Sequence, residues 1–379
     1  MTQIIEVDGP LEVDSDPEDV QVMVGSGRFG SPCSYTTSIA PTVFNYRFEN
    51  GRRYHGYKDG AYFMPNDKRE QDRLELQHSI WRGVLNGHLY LAPIGANPQR
   101  VLDLGTGTGN WAAEFAEQHP KSQVLGTDLS PIQRLWVPPN CSFEIDDFEE
   151  EWSYATTLSP SPSPSSSPSP SSTTTSSPTS SPSPSPPPPP SRSPPKPTPP
   201  PTRQTFTYIH ARSLTGSISS YPRFLRQAHH HLTPHGYLEL QSIETTFTST
   251  DGTHLHCPTT LRWQELLHAA SRHIGKELCT ERHWKRWMEE AGFVDVREVV
   301  YKVPVGGWAR DARLKEVGRW QGAGVEEMVE AYSMALFTRV LGWEREEVEV
   351  LLRAVGGEVG DRRKRLWVRV WVVWGRRGG

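Results

Sequence analysis

Residues 101–109 read Val101-Leu102-Asp103-Leu104-Gly105-Thr106-Gly107-Thr108-Gly109. A short apolar run with an acid inside it ends in three glycines at alternate positions, and an amphipathic stretch over 110–118 follows. Glycine permits positive φ and close backbone approach, and the first turn of a helix leaves N–H groups unpaired. A strand, a glycine turn and a helix in that order form the ligand-facing corner of a doubly wound sheet, where ligands lie beyond the carboxyl ends of the strands.

Working outward, apolar runs predict strands over 100–105, 123–128, 142–146, 206–211, 237–241, 293–303 and 366–374. Helical patterns separate them at 110–118, 222–232, 261–274, 282–291, 311–318, 325–341 and 344–355. A further helix starts at Asn66 or Asp67, with Glu70 as the reaching acid of a capping box, and stops at Asn86-Gly87. Thr233-Pro234-His235-Gly236 reads as the turn ending the 222–232 helix. This alternation predicts an α/β fold with helices on both faces of a largely parallel sheet. The last two strands are longer and amphipathic, and read as an edge pair with one antiparallel member.

Composition divides the 379 residues. Residues 155–204 form a Ser/Pro-rich insert whose span 159–203 holds 19 of the 34 prolines and no apolar side chain. Such a segment cannot bury enough surface to offset its ordering entropy. Residues 1–40, acidic and then Gly/Ser-rich, read as a tail, which leaves 41–154 and 205–379 as one domain. The net charge of −4 argues against a direct nucleic-acid surface. Four scattered cysteines without a CxxC pair exclude a disulfide scaffold and a zinc ribbon, and no metal is expected. The N-terminus lacks the apolar core of a secretory leader. No apolar run approaches the ~20 residues of a membrane span. The expected location is therefore cytoplasmic or nuclear.

Three acids follow one another along three strands. Asp103 precedes the glycines from inside its strand, where an anion would serve a pyrophosphate poorly and suits a cationic ammonium. Asp128 ends the second strand, placed to accept ribose hydroxyls. Asp147, followed by Phe148, ends the third, a carboxylate and a ring for an adenine amine. Ammonium, ribose and adenine in that order describe S-adenosylmethionine (SAM), with Gly105, Gly107 and Gly109 as its backbone cradle. A nicotinamide cofactor is disfavoured, because its fingerprint is spaced G-x-G-x-x-G. His210, after the fourth strand, is the candidate general base, with Arg212, Glu239 and Gln241 as neighbours of interest. Tyr46, Tyr54, His55, Tyr57 and Arg73 are candidates for a lid, Arg73 also for cofactor contact.

The blocks VLDLGTGTGNWAAEFA, VLGTDLSPIQRLWVPPNCSFEIDDFEEEW, IHARSLTGSI, LTPHGYLELQ and LGWEREEVEVLL resemble the LaeA/UMTA-like, TAM-domain methyltransferases of filamentous fungi, over roughly 42–154 and 205–376. The resemblance implies the class I fold, a Rossmann-like doubly wound sheet of seven strands with the last antiparallel. It implies SAM-dependent methyl transfer to an O, N or S nucleophile of a small metabolite or a protein side chain. It also implies a link to secondary metabolism, in some members with velvet-type partner proteins in the nucleus; the rival expectation is a regulatory subunit with a vestigial pocket. The family's SAM motif falls on Asp103, Gly105, Gly107 and Gly109, its ribose acid on Asp128 and its adenine-side acid on Asp147. Asn110 stands where an apolar residue is usual, and His235 where the family has the first glycine of a Pro-Gly-Gly turn.

Overall fold

The mixed sheet owes its order to one reversal at its centre. A computed structural model describes residues 41–154 and 205–379, together with the backbone of Ile5–Val7. The remaining tail and the Ser/Pro-rich insert lie outside the described residues. Two units divide the chain, the first being 1–152 with 205–379 and the second 153–204.

In the first unit the elements run β1 (Ile5–Val7), β2 (Arg47–Glu49), β3 (Arg52–Tyr54), α1 (Lys68–Val84), β4 (Arg100–Leu104), α2 (Asn110–Gln118), β5 (Gln123–Asp128), β6 (Cys141–Ile145) and β7 (Phe206–Arg212). They continue with α3 (Tyr221–His231), β8 (Leu232–Ile243), α4 (Pro258–His273), α5 (Trp284–Glu290), β9 (Phe293–Pro304), α6 (Ala312–Ala323), α7 (Val325–Arg339), α8 (Arg345–Val359) and β10 (Trp367–Arg377). The main sheet is ordered β6-β5-β4-β7-β8-β10-β9-β1. From β4 the chain builds outward through β5 and β6; it then returns to β4's other side with β7 and β8. That switch leaves a crevice at the carboxyl ends of β4 and β7.

The seven predicted strands are present, and β10 is antiparallel to both β8 and β9. Three features differ from the sequence reading. The tail contributes an eighth strand, since Ile5–Val7 pairs parallel to Val299–Tyr301. The last two strands are not an edge pair, because β10 lies inside the sheet between β8 and β9. Thr233–Gly236 is not a free turn but falls within β8, whose register against β7 shifts there. His235 takes φ 64° at that place.

A hairpin was also missed. β2 and β3 pair through Asn50 and Gly51, both at positive φ, the Asn-Gly signature of a type I′ turn. Asp67 caps α1 by accepting the Glu70 amide at 3.0 Å. Glu70 itself turns to Arg73 rather than back to the cap. The largest core joins α4, α7 and α8 to the valines of β10, Val368, Val370 and Val372, all fully buried.

Candidate active site

The cleft at the switch point is lined from four directions. β4 and its glycine turn supply Asp103, Gly105, Thr106 and Gly107; β5 supplies Asp128; the segment after β6 supplies Asp147, Phe148 and Glu149; β7 supplies His210 and Arg212. Residues 61–66 and α1 close the other side with Tyr62, Met64, Asn66, Arg73 and His78.

Asp103 is buried and oriented by both of its oxygens. Oδ1 lies 2.7 Å from His210 Nδ1, and Oδ2 accepts the Thr106 hydroxyl at 2.6 Å. Parallel pairing sets Asp103 directly opposite His210. The imidazole stacks on Trp111 of α2 with centroids 3.7 Å apart and planes 4° from parallel. It has no solvent exposure, and its Nε2 has no partner. The candidate base therefore lies beside the acid on the neighbouring strand, held by it and by the indole.

Asp128 organises the glycine turn. One oxygen accepts the Gly107 amide at 2.8 Å and the other the Ser130 amide at 2.9 Å. Burial pushes its pKa up to about 6, helped by the neighbouring Asp103 and opposed by those two amides. Asp147 accepts the Glu149 amide at 2.9 Å and faces Lys58 at 3.7 Å. Phe148 is buried edge-on against Phe224.

The three glycines divide by role. Gly105 and Gly107 line the cleft, and a Cβ at Gly107 would meet only Leu74, at 3.4 Å. Gly109 does not line the cleft: at φ 78° it caps α2, and a Cβ there would lie 2.4 Å from the Phe143 ring. It is a glycine for packing as well as for the turn.

The predicted lid is relocated. Tyr54 and His55 are buried away from the cleft, Tyr54 under Arg339 and His55 on the Lys58 carbonyl, and Tyr46 lies against Arg53. The cleft is covered instead by the next residues, 61–66. Lys276 ties this cover down, donating to the Ala61 carbonyl at 2.7 Å and the Ser217 carbonyl at 3.0 Å and pairing with Glu149 at 2.6 Å. Arg73 lines the cleft with both Glu70 oxygens on its guanidinium, at 2.8 and 2.6 Å. Burial alone would lower the Arg73 pKa, but the Glu70 carboxylate overrides it and holds the group above its ordinary value. Glu239 and Gln241 lie outside the cleft. Glu239 accepts the Leu91 and Ala92 amides, and Gln241 donates to the Leu89 carbonyl, so both anchor the loop after α1.

Tyr332 of α7 and Lys276 are lining residues that sequence reasoning missed. Each belongs to a segment far from the glycine turn in sequence, with no local motif to mark it.

This donor set fits SAM. Gly107 presents bare backbone, Asp128 stands ready beside it, and the cleft-lining Asn110 Oδ1 and Ser213 Oγ are buried without partners.

Comparison with known proteins agrees. A family model described as a methyltransferase domain matches residues 76–298. Methyltransferase pytC of Aspergillus terreus is 36% identical over 326 residues, 86% of each chain. The secondary metabolism regulator laeA of Aspergillus fumigatus is 30% identical over 339 residues, 88% of this chain and 77% of that one. The protein-methionine methyltransferase laeA of Emericella nidulans is 29% identical over 350 residues, 88% and 78% of the two chains.

Proposed function

This chain belongs to the methyltransferase-domain family and is a class I SAM-dependent methyltransferase, and we propose that its acceptor is a small molecule enclosed under residues 61–66. The observation that carries the acceptor class is the Lys276 tie, which joins the cover to two other walls of the cleft. A folded protein surface would have to displace that cover, whereas a small acceptor needs only to pass beneath it.

The cofactor supplies a methyl group on a sulfonium, already a good leaving group. The protein's part is therefore positioning and water exclusion. Asp103, immobilised by His210 and Thr106, offers its charge to the ammonium end. Asp128 receives the ribose hydroxyls while holding the Gly107 amide. Asp147 and Phe148 serve the adenine end. We read His210 as acting on Asp103, which its Nδ1 holds, because the ring is stacked on Trp111 and fully buried; its unpartnered Nε2 is the atom through which it would serve as a base. Tyr62, Met64, Tyr332 and Leu214 remain to shape the acceptor end.

The test is to supply labelled SAM with a fractionated fungal extract and ask which fraction takes the label. Label in small molecules supports the reading; label confined to protein overturns it. A protein acceptor is the second reading, favoured by the activity in the name of the Emericella nidulans relative. A link to secondary metabolism rests on the names of the laeA relatives.

A further inference from the structure

Arg212 carries a charge that its surroundings do not answer. It closes β7, two residues after His210 on the same face of the strand, and lines the cleft. Its Nη2 donates to His78 Nδ1 at 2.9 Å. No carboxylate lies within salt-bridge distance of it among the described residues. His78 does not compensate it: burial pushes that imidazole's pKa down, and its Nε2 turns to Glu114 at 3.1 Å. The Trp81 ring, 5.8 Å from the guanidinium carbon, closes another side. Burial pulls the Arg212 pKa down to about 10, against the pull of Asp103 and Glu114. Arg212 is half-buried, and a partly desolvated cation with no counter-ion in contact is poised to take an anion.

Arg73 presents the opposite case. Both Glu70 oxygens already occupy its fork, so the arginine expected from sequence to meet the cofactor is neutralised within α1. Arg212 also stands close enough to Asp103 to feel its charge. Asp103 pairs with His210, and Leu104 with Ala211, so Arg212 stands level with the start of the glycine turn. An acid and a base side by side complement an α-amino-acid group, whose ammonium and carboxylate share one carbon.

We infer that Arg212 is the binding residue for the carboxylate of the cofactor's methionyl end, beside Asp103 on its ammonium. The inference rests on the SAM site proposed above and assigns a residue to one end of it. Arg212 then sets the direction in which the methionyl chain enters and, through it, the position of the sulfonium.

Calorimetric titration of the full chain with SAM and with decarboxylated SAM tests this without any acceptor. The wild type should prefer SAM by about tenfold to a hundredfold, the range of a charged hydrogen bond. Arg212→Met should lose that preference while binding decarboxylated SAM as the wild type does. Arg212→Gln is a second neutral variant, should the methionine variant not fold, and carries the same expectation. Equal losses for both ligands, or a preference that survives in the variant, overturn the assignment and leave the cofactor site standing. A folded wild type that binds neither ligand overturns both.

Discussion

His210 and Asp103, 107 residues apart in the chain, form a buried pair on adjacent parallel strands, with Nδ1 2.7 Å from Oδ1. The imidazole is stacked on an indole and closed to solvent, and it holds the Asp103 carboxylate in one orientation. On the proposed reading the site is built around a fixed anion at the turn, with His210 holding it in place.

This arrangement predicts how His210→Gln behaves. Removing the imidazole leaves Asp103 short of a partner in a buried place, so SAM binding should weaken by about 1–3 kcal/mol. Turnover at saturating SAM should fall much less, and its pH profile should keep its shape. A kcat loss of a hundredfold or more with unchanged SAM affinity would instead identify a general base. Titration calorimetry and a pH–rate profile on both proteins decide it.

Asp128 gives a pH dependence whose sign follows from its role. Its pKa is raised to about 6 by burial, and ribose hydroxyls donate to the ionised form. SAM affinity should be level above pH 6 and fall as pH drops through 6, approaching tenfold per unit. Asp128→Asn should bind SAM about 1–3 kcal/mol more weakly at pH 8 and lose the inflection. The dissociation constant between pH 5 and 8 is the measurement. A wild-type profile flat across that range would place the ribose elsewhere.

Glu281 carries the opposite kind of effect, on stability. It is fully buried, takes the Ser242 hydroxyl at 2.7 Å on one oxygen and leaves the other without a partner. Burial raises its pKa from 4.5 to about 7, with Glu244 adding to the rise. A carboxyl that holds its proton more tightly when folded favours the native state below its unfolded pKa. That contribution declines as pH rises from 4.5 through 7, by about 3 kcal/mol at most. Glu281→Gln should therefore melt above the wild type at pH 8, with the gap closing toward pH 4.5. A gap that does not depend on pH would show that Glu281 does not titrate in this range.

The fold was legible wherever local pattern and tertiary demand agree. Gln123–Asp128 and Asn110–Gln118 end where the periodicity ends, because a polar turn and a glycine bound them. The acids and glycines of the cleft were legible for the same reason, since each sits at a strand's carboxyl end. His235 shows the limit. A Thr-Pro-His-Gly sequence signals a turn, yet β7 pairs with Leu232 before it and Tyr237 after it, so the segment is an irregularity inside β8 rather than a connection between elements. The cover is not legible locally, because an aromatic cluster looks the same in sequence whether its rings face a ligand or a core. Tyr54 went to Arg339, while Tyr62, eight residues on, reached the cleft. Lys276 and Tyr332 depend wholly on how distant helices pack, which no short window of sequence records.

The glycine turn offers the sharpest separation of folding from binding. Gly107→Ala adds a methyl facing the cleft, with Leu74 as its nearest neighbour at 3.4 Å, at φ 57°. The cost to stability is the left-handed backbone, about 1–2 kcal/mol, while the methyl occupies the space where a ligand meets bare backbone. Gly109→Ala places its methyl 2.4 Å from the Phe143 ring, at φ 78°. Phe143 is buried beside α2 and cannot yield freely, so strain from overpacking, typically 1–3 kcal/mol, adds to the backbone cost. Thermal melting should therefore rank Gly109→Ala as clearly the less stable of the two. SAM titration on the folded fractions should rank them the other way, with Gly107→Ala the weaker binder. The same order in both assays would mean that the two glycines do one job, and that the cofactor does not approach the turn at Gly107.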